Sequence, residues 1–534
     1  MSGLGAVHDT VPAIPLVASD RTWMPGGQML SRREFLAGLA SLGAVSALDV
    51  IDVLHPFAAH ALAASPGEAT TLARTIRSMG AGPYFRLAYG EGEPYEVRED
   101  LARGDAKRTT RRRSVVFFAH LTDIHLIDSE SPLRGEFLDQ TSDPPSPAPF
   151  NSAWRPHEPL TLHVLESMVR QVNRSMFSPV TGTHLDFVLV TGDAADNAQF
   201  NEIRWFVDTL DGLRVAADSG LRGTYEGIQR MDYPNPLYWH PDDPSRDRYG
   251  LQHGFPAYPG LLEAAIRSFD TEGLRVPWFS VTGNHDILWQ GNIPDSGPAA
   301  PPFAAIAVSP VKPEGGATAD PDRRIVTTKE WVAEHFNSRA FPGPVGHGFT
   351  QENRDAGTGY YVRDLGPQLR LIVLDSVNPN GYANGSFDPG QIAWLEQQLI
   401  ASHSRYRGSD GAWVTTPNRD RVLILTAHHT LYSTDNPLVA TGTLSPEPRV
   451  LGGDVTTLLL RFPNVILYIG GHTHENRLIP HSSPDGGFWE VGTASHIDWP
   501  QQSRLVEILD NRDGTLSAFL TVLDHLAVPG STDL

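Results

Sequence analysis

Five apolar, β-branched runs punctuate the chain: Val115 to Leu121, Phe187 to Thr191, Val276 to Thr282, Val422 to Ala427 and Val465 to Ile469. Runs of this length with few polar interruptions predict strands buried on both faces. Leu369 to Val377 predicts a further strand, ending in Asp375-Ser376. Helical spacing marks His157 to Arg174, Glu202 to Leu210 and Asp388 to Ile400, where Ile392, Leu395 and Leu399 recur on one face. Asp388 as cap and Pro389 behind it predict where that last helix begins. Beyond the last apolar run, Gly487 to Gly492, Arg504 to Leu509 and Thr515 to Val522 read as strands of a second sheet.

Each of the five apolar runs leads into residues that bind metals. They are Asp123-Ile124-His125, Gly192-Asp193-Ala194-Ala195-Asp196-Asn197, Gly283-Asn284-His285-Asp286, the pair His428-His429, and Gly471-His472-Thr473-His474. The ligands then sit at the carboxyl ends of strands, where open α/β sheets place their sites. Carboxylate, imidazole and one carboxamide, with no cysteine in the chain, favour Zn, Mn or Fe over copper(I) or an iron–sulfur cluster. Asp193 is the candidate to bridge two cations, because Gly192 lets the chain turn sharply at the strand end. The Asp-x-His triplet says little alone, and His120 and His496 compete with it for notice. Gly-Asn-His-Asp and Gly-His-Thr-His say more, since each packs several ligand types into four residues after a strand. His163 is expected on a solvated or packed helical face.

This ordered set resembles the calcineurin-like metallophosphoesterase superfamily, which includes purple acid phosphatases and class III cyclic-nucleotide phosphodiesterases. The resemblance implies a four-layer αββα sandwich, two mixed β-sheets packed face to face and flanked by helices. It implies one metal held by Asp123, His125, Asp193 and His474, and another by Asp193, Asn284, His428 and His472. His428 is favoured over His429 as the ligand. By the same resemblance His285 is a non-ligand histidine facing the scissile phosphate, Asp286 orients it, and Asp196 and Asn197 are supporting residues. Two cations roughly 3.5 to 4 Å apart share a water, lower its pKa and clamp both oxygens of an in-line displacement. The expected nucleophile is the bridging hydroxide, with His285 protonating the leaving oxygen. Gln391-x-x-Trp394-Leu395-Glu396 resembles the phosphodiesterase branch and inclines the reading towards diesters.

Ser31-Arg32-Arg33-Glu34-Phe35-Leu36, the apolar stretch Leu36 to Leu48 and the small residues Ala61-Leu62-Ala63 resemble a twin-arginine export signal cleaved before Ala64. Asp49, Asp52 and His55 interrupt the stretch short of the roughly 20 apolar residues a membrane span needs, so no stable membrane anchor is expected. The domain organisation read here is an export signal over 1–63, a segment of unknown role over 64–113, and a catalytic domain over 114–534. Insertions are expected near 211–275, which is rich in proline, and near 287–358, with little periodicity from Ile293 to Asp322. Tyr238, Trp239, His240, Trp289 and Gln290 either face substrate or pin these loops to the body. Long inserts between motifs resemble those of twin-arginine-exported actinobacterial metallophosphoesterases.

With 62 acidic and 42 basic side chains, a net charge of -20 argues against a nucleic-acid partner. The expected protein is an exported dinuclear-metal phosphoesterase, extracellular or in the cell envelope, acting on a small phosphomonoester or phosphodiester or on cell-envelope phosphate. The twin-arginine translocase is its expected partner during export. One alternative is a non-catalytic metal-containing envelope protein that binds phosphate-rich polymers. Another is a dinuclear hydrolase of non-phosphate esters.

Overall fold

The computed structural model describes residues 10–15, 22–23, 29–30, 67–80, 86–139, 153–294, 300–312, 314–439 and 447–526. The twin-arginine stretch and the expected cleavage site at Ala64 lie outside the described residues.

Strands β1 (Thr10–Pro15), β2 (Glu96–Arg98), β3 (Arg113–Leu121), β4 (Phe187–Val190) and β5 (Trp278–Ser280) belong to one sheet. The strands β6 (Tyr361–Asp364), β7 (Leu369–Val373), β8 (Val422–His429), β9 (Val465–Gly471), β10 (Arg477–Ser483) and β11 (Gly486–Gly492) form a second, ordered β6-β7-β8-β9-β11-β10. The chain then returns to the first sheet with β12 (Gln502–Asp510) and β13 (Thr515–Asp524), completing the order β5-β4-β3-β12-β13-β1-β2. Strands β3, β4 and β5 are parallel, as are β7, β8, β9 and β11.

This corrects one expectation. Only Gly486–Gly492 joins the second sheet, whereas β12 runs antiparallel to β3, with Arg504 opposite His120 and Ile508 opposite Val116. Both faces of β12 and β13 are buried, so these strands show no alternation that would point to a partner sheet.

Helices α1 (Thr161–Arg174), α2 (Phe200–Leu210), α3 (Pro389–Ala401) and α4 (Gly452–Leu459) complete the layers. Alternate residues of the second sheet divide between two cores. Leu371, Val373, Ile424 and Ile469 pack with Phe118, Leu505 and Ile508 of the first sheet, and the same core takes in Leu165 and Val169 of α1 and Phe206 of α2. Ile372, Leu423, Leu425 and Tyr468 turn the other way, onto Leu395 and Leu399 of α3 and Val455 and Leu459 of α4. The order is helix, sheet, sheet, helix. Asp388 caps α3 as expected, accepting from Gly390 N at 2.7 Å. Among the described residues no helix is long and apolar enough to cross a membrane.

The segment before β3 contains a hairpin, Arg74–Met79 with Arg86–Glu91, tied to β13 through Thr71 N to Val522 O at 3.2 Å. Arg111 pairs with Asp513 at 3.0 Å and Arg112 lies over the Phe519 ring, so this basic run secures the strand entrance. The stretches expected as insertions pack onto the body through small cores, Tyr238 and Trp239 with Trp154, and Trp289 with Leu133.

Candidate metal centre

The first three motifs follow β3, β4 and β5 in the first sheet, and the last two close β8 and β9 in the second. Carboxyl ends of both sheets therefore meet at one point. His472 N donates to Asp123 Oδ1 and Oδ2 at 2.9 and 3.0 Å, and His428 Nδ1 donates to Thr191 O at 2.8 Å. Each contact joins a residue of one sheet to the other. Gly471 permits this approach, since a Cβ there would lie 1.9 Å from Thr122 Oγ1 and 2.2 Å from Asp123 Oδ2.

Five of the seven expected ligands have left-handed backbone: Asp123 (φ 50°), His125 (49°), Asp193 (50°), His472 (69°) and His474 (55°). Each such residue costs on the order of 1–3 kcal/mol and persists only where the surroundings hold it. Here the strain aims consecutive side chains at a shared centre. Asp193 is central, with Oδ2 at 3.7 Å from His125 Nε2 and 3.1 Å from His428 Nε2, while Oδ1 accepts from His285 N at 2.9 Å. His474 Nε2 lies 3.4 Å from Asp123 Oδ1. Asp123, His125 and His474 can bring ligand atoms within 4.8 Å of one another, and so can Asp123, Asp193 and His428.

The donor atoms fit divalent cations. His125 Nε2, His428 Nε2 and Asn284 Oδ1 are buried without a hydrogen-bond partner. Each belongs to a side chain whose other polar atom is fixed: His125 Nδ1 to Asp196 Oδ1 at 2.8 Å, His428 Nδ1 to Thr191 O, and Asn284 Nδ2 to Gly291 O at 3.0 Å. His428 Nε2, though close to Asp193, lacks the alignment of a hydrogen bond. His472 donates from Nε2 to Asn384 Oδ1 at 3.2 Å, which leaves Nδ1 for a cation. His429 is excluded despite its closeness to His428 and His472, because Nδ1 takes Ser376 Oγ at 2.8 Å and Nε2 takes Ala383 O at 2.7 Å.

Charge follows the same plan. Burial pushes the Asp193 carboxyl up, but His428, His285 and His125 hold it well below the carboxylate range. Burial opposes protonation of His428 and His474, yet Asp193 raises the first to about 9, and Asp123 with Asp498 raises the second to about 9. In the metal-free chain these two imidazoles carry protons that a cation would displace.

A chain of charges, buried at Arg134, Glu158 and Asp196 and half-buried at Arg155 and Asp498, backs the first ligand set. His474 Nδ1 donates to Asp498 Oδ2 at 2.6 Å, and Arg155 forks onto both Asp498 oxygens at 2.7 and 3.0 Å. Arg155 N donates to Glu158 Oε1 at 2.9 Å, Glu158 pairs with Arg134, and Arg134 reaches Asp196 Oδ2 at 2.7 Å, next to His125. Carboxylates that fix ligating imidazoles in this way set their tautomer and basicity. None of Arg134, Arg155, Glu158 and Asp498 stands out in the sequence. They lie outside the motifs, and three of them flank the proline-rich sequence Pro144 to Pro149.

Asp286 requires a correction. It does not touch His285 through a hydrogen bond; its carboxylate accepts four backbone N–H groups, from Asp193, Ala194, Ala195 and Gly283, at 2.7 to 3.0 Å. A short side chain directly after the turn reaches main chain more readily than a neighbouring ring. His285 is held by the Asp196 carbonyl instead, through Nδ1 at 2.8 Å. Asp196 thus supports two histidines, and Asn197 accepts from Gln290 Nε2 at 2.9 Å.

The remaining candidates are scaffold. His120 bridges Thr191 and Thr493, His496 supports Asp123 O through its backbone N–H at 3.0 Å, and His163 donates to Ala265 O. His240 spends both ring nitrogens on Gln229 O and Asn235 O. Tyr238 bonds Glu314, Trp239 bonds Pro256 O, and Trp289 bonds Leu133 O and stacks on Phe303 at 4.3 Å. These aromatics pin the insertions. Gln391 clasps the backbone of Asp375 with two 2.7 Å bonds and Leu395 is core, so the Gln-x-x-Trp-Leu-Glu run serves the fold and no longer favours diesters.

A four-layer α/β sandwich whose two sheets meet at convergent imidazoles, carboxylates and one carboxamide defines a metal-dependent hydrolase. The family profile described as Calcineurin-like phosphoesterase matches residues 118–476, and the chain belongs to that family of metal-dependent phosphoric ester hydrolases. No curated protein matches the sequence. Among solved structures it is similar to a dimetal phosphatase from Danio rerio, at 12% identity and a TM-score of 0.36 over 77% of this chain and 100% of that one. It is also similar to the sulfate thiohydrolase SoxB of Thermus thermophilus in complex with glycerol, at 10% identity and a TM-score of 0.28 over 77% of this chain and 57% of the other.

Proposed function

We propose that the chain hydrolyses a phosphomonoester or phosphodiester with two divalent cations, Zn, Mn or Fe. One would be held by Asp123, His125, Asp193 and His474, the other by Asp193, Asn284, His428 and His472. The observation that carries this reading is the set of buried, unpartnered atoms His125 Nε2, His428 Nε2 and Asn284 Oδ1 around Asp193. Unmet buried donors and acceptors cost on the order of 1–3 kcal/mol each, a cost that bound cations offset. When bound, such cations supply Lewis acidity toward the phosphoryl oxygens and the nucleophile.

The protein's own groups do the rest. Burial holds His285 below the usual imidazole range, so its resting form is neutral, with the proton on Nδ1 toward Asp196 O. An arriving phosphate ester brings negative charge, which favours the imidazolium. Nε2–H then faces the leaving oxygen and protonates it as the ester bond breaks. Asp286 keeps the turn that carries Asp193 rigid through its four backbone bonds. Retention of every expected ligand and of His285 supports hydrolysis over mere binding of phosphate-rich polymers.

Export by the twin-arginine route, to the cell envelope or beyond, is part of the proposal and rests on Ser31 to Ala64 of the sequence. The activity is tested on the full chain loaded with Mn or Zn, using an aryl phosphomonoester and an aryl phosphodiester in parallel. Turnover that disappears in Asp193→Ala and His285→Ala is expected; turnover that survives both changes refutes the site.

A further inference from the structure

Two exposed aromatic side chains adjoin residues that fix metal ligands. Tyr382 is 61% exposed and Trp499 57%, and each lies within two residues of a side chain that fixes one of the last two ligands. Trp499 follows Asp498, which holds His474. Tyr382 lies two residues before Asn384, which holds His472.

The loop that carries Tyr382 is fastened on every side. Tyr382 N donates to Asn292 O at 2.8 Å, and Ala383 O accepts from His429 Nε2 at 2.7 Å. Asn436 Nδ2 ties down Gly381 O and Asn384 O, both at 2.9 Å. Asn292 adjoins Gly291, which packs so closely on His285 that a Cβ there would lie 2.4 Å from Nε2. Tyr382 is thus suspended between the strand of chain beside His285 and the strand beside His472. Its φ is 65°, a region that a bulky residue occupies only as an outlier. Glycine would relieve that strain, and a ring so exposed gains little from packing. An ordered, strained and solvent-facing aromatic at a site is an observation that points to function.

The amide groups around it indicate what kind of contact the rim offers. Asn292 Nδ2 is spent on Gln290 O, Asn380 Nδ2 on Leu438 O and Asn384 Nδ2 on Asp435 Oδ1. Ring faces remain, and an aromatic face recognises another flat unsaturated ring without demanding particular hydrogen bonds. We propose that Tyr382 and Trp499 are specificity-determining residues that stack on a planar leaving group, so that aryl or nucleoside phosphate esters are preferred to alkyl esters; this rests on the phosphoesterase reading above.

The test uses the full, metal-loaded chain and two inert probes, phenylphosphonate and methylphosphonate, with binding measured by calorimetry. Alongside, kcat/KM is measured on 4-nitrophenyl phosphate and glycerol phosphate, comparing each variant with the wild type so that intrinsic leaving-group reactivity cancels. Tyr382→Ala and Trp499→Ala should each weaken phenylphosphonate binding by roughly tenfold and lower kcat/KM on the aryl ester alike. Metal content and methylphosphonate binding should stay as in the wild type, and Tyr382→Phe should retain the aryl preference. Variants that leave the phenyl-to-methyl ratio unchanged, or that weaken both probes equally, overturn the inference. Wild-type protein that discriminates between the phosphonates but hydrolyses neither these monoesters nor an aryl phosphodiester refutes the phosphoesterase reading while leaving the aromatic rim intact, and wild-type protein that binds neither phosphonate overturns the rim.

Discussion

Replacing Asp498 with Asn separates two opposing effects of one carboxylate. Asp498 Oδ2 accepts from His474 Nδ1 at 2.6 Å and so turns Nε2 toward Asp123. Loss of a carboxylate behind a ligating imidazole lowers metal affinity about 10- to 100-fold, or about 1.4 to 2.7 kcal/mol. The same carboxylate also helps to hold His474 at about 9 in the metal-free chain, where burial alone would lower it. A folded-state value above the ordinary imidazole range means that the proton is bound throughout neutral pH and is lost only as pH rises through about 9. At pH 7 a cation must displace a proton held about two pH units above the medium, which weakens apparent binding about a hundredfold. Asp498→Asn therefore removes a support and weakens a competitor, because Asp123, the larger influence, still raises His474 in the variant. At pH 9 the proton remains on only about half of the wild-type chains, a penalty of about twofold, and the variant should show nearly the whole loss. At pH 7 the two effects offset each other in part. The assay is titration of metal-free protein with Zn against a competing chelator at both pH values. A loss greater at pH 7 than at pH 9 would refute this reasoning, as would equal weakening of the set containing His428, which Asp498 does not touch.

Gly471→Ala should abolish tight metal binding, since its Cβ would lie 1.9 Å from Thr122 Oγ1 and 2.2 Å from Asp123 Oδ2; wild-type affinity in this variant would contradict the packing described. Arg134→Met leaves Glu158 and Asp196 buried without their cation, so thermal unfolding in chelator should show a loss of about 3–5 kcal/mol, and an unchanged melting temperature would count against the charged chain. Trp289→Ala should cost about 3–5 kcal/mol of stability with unaltered kinetics on the metal-loaded enzyme. A selective fall in kcat/KM would return Trp289 to the substrate pocket.

The metal ligands are legible in the sequence because each follows directly on a strand, so local pattern alone carries them to the sheet ends. Their supporting residues are not. Arg134, Arg155, Glu158 and Asp498 are charged loop residues, and such residues ordinarily face water. The burial of Arg134 and Glu158 and the half-burial of Arg155 and Asp498 are products of tertiary assembly, in which one ion pair makes room for the next. Asp286 shows a related limit: the family resemblance implied that it orients His285, but its carboxylate is saturated by the backbone of the Asp193 turn and Gly283. Strands β12 and β13 were identifiable as strands yet not assignable to a sheet, because burial on both faces erases alternation. The aromatics of the insertions drew notice through their closeness to motifs, although Trp289 and His240 are buried and fully engaged in holding loops.

The most direct test of the central claim is the stoichiometry of divalent metal bound to the full chain, determined by equilibrium dialysis and elemental analysis for wild type and Asp193→Ala. Two ions per wild-type chain, with at least one lost when the shared carboxylate is removed, is the expected result. A single ion in the wild type, or two retained in Asp193→Ala, would contradict a centre organised around Asp193.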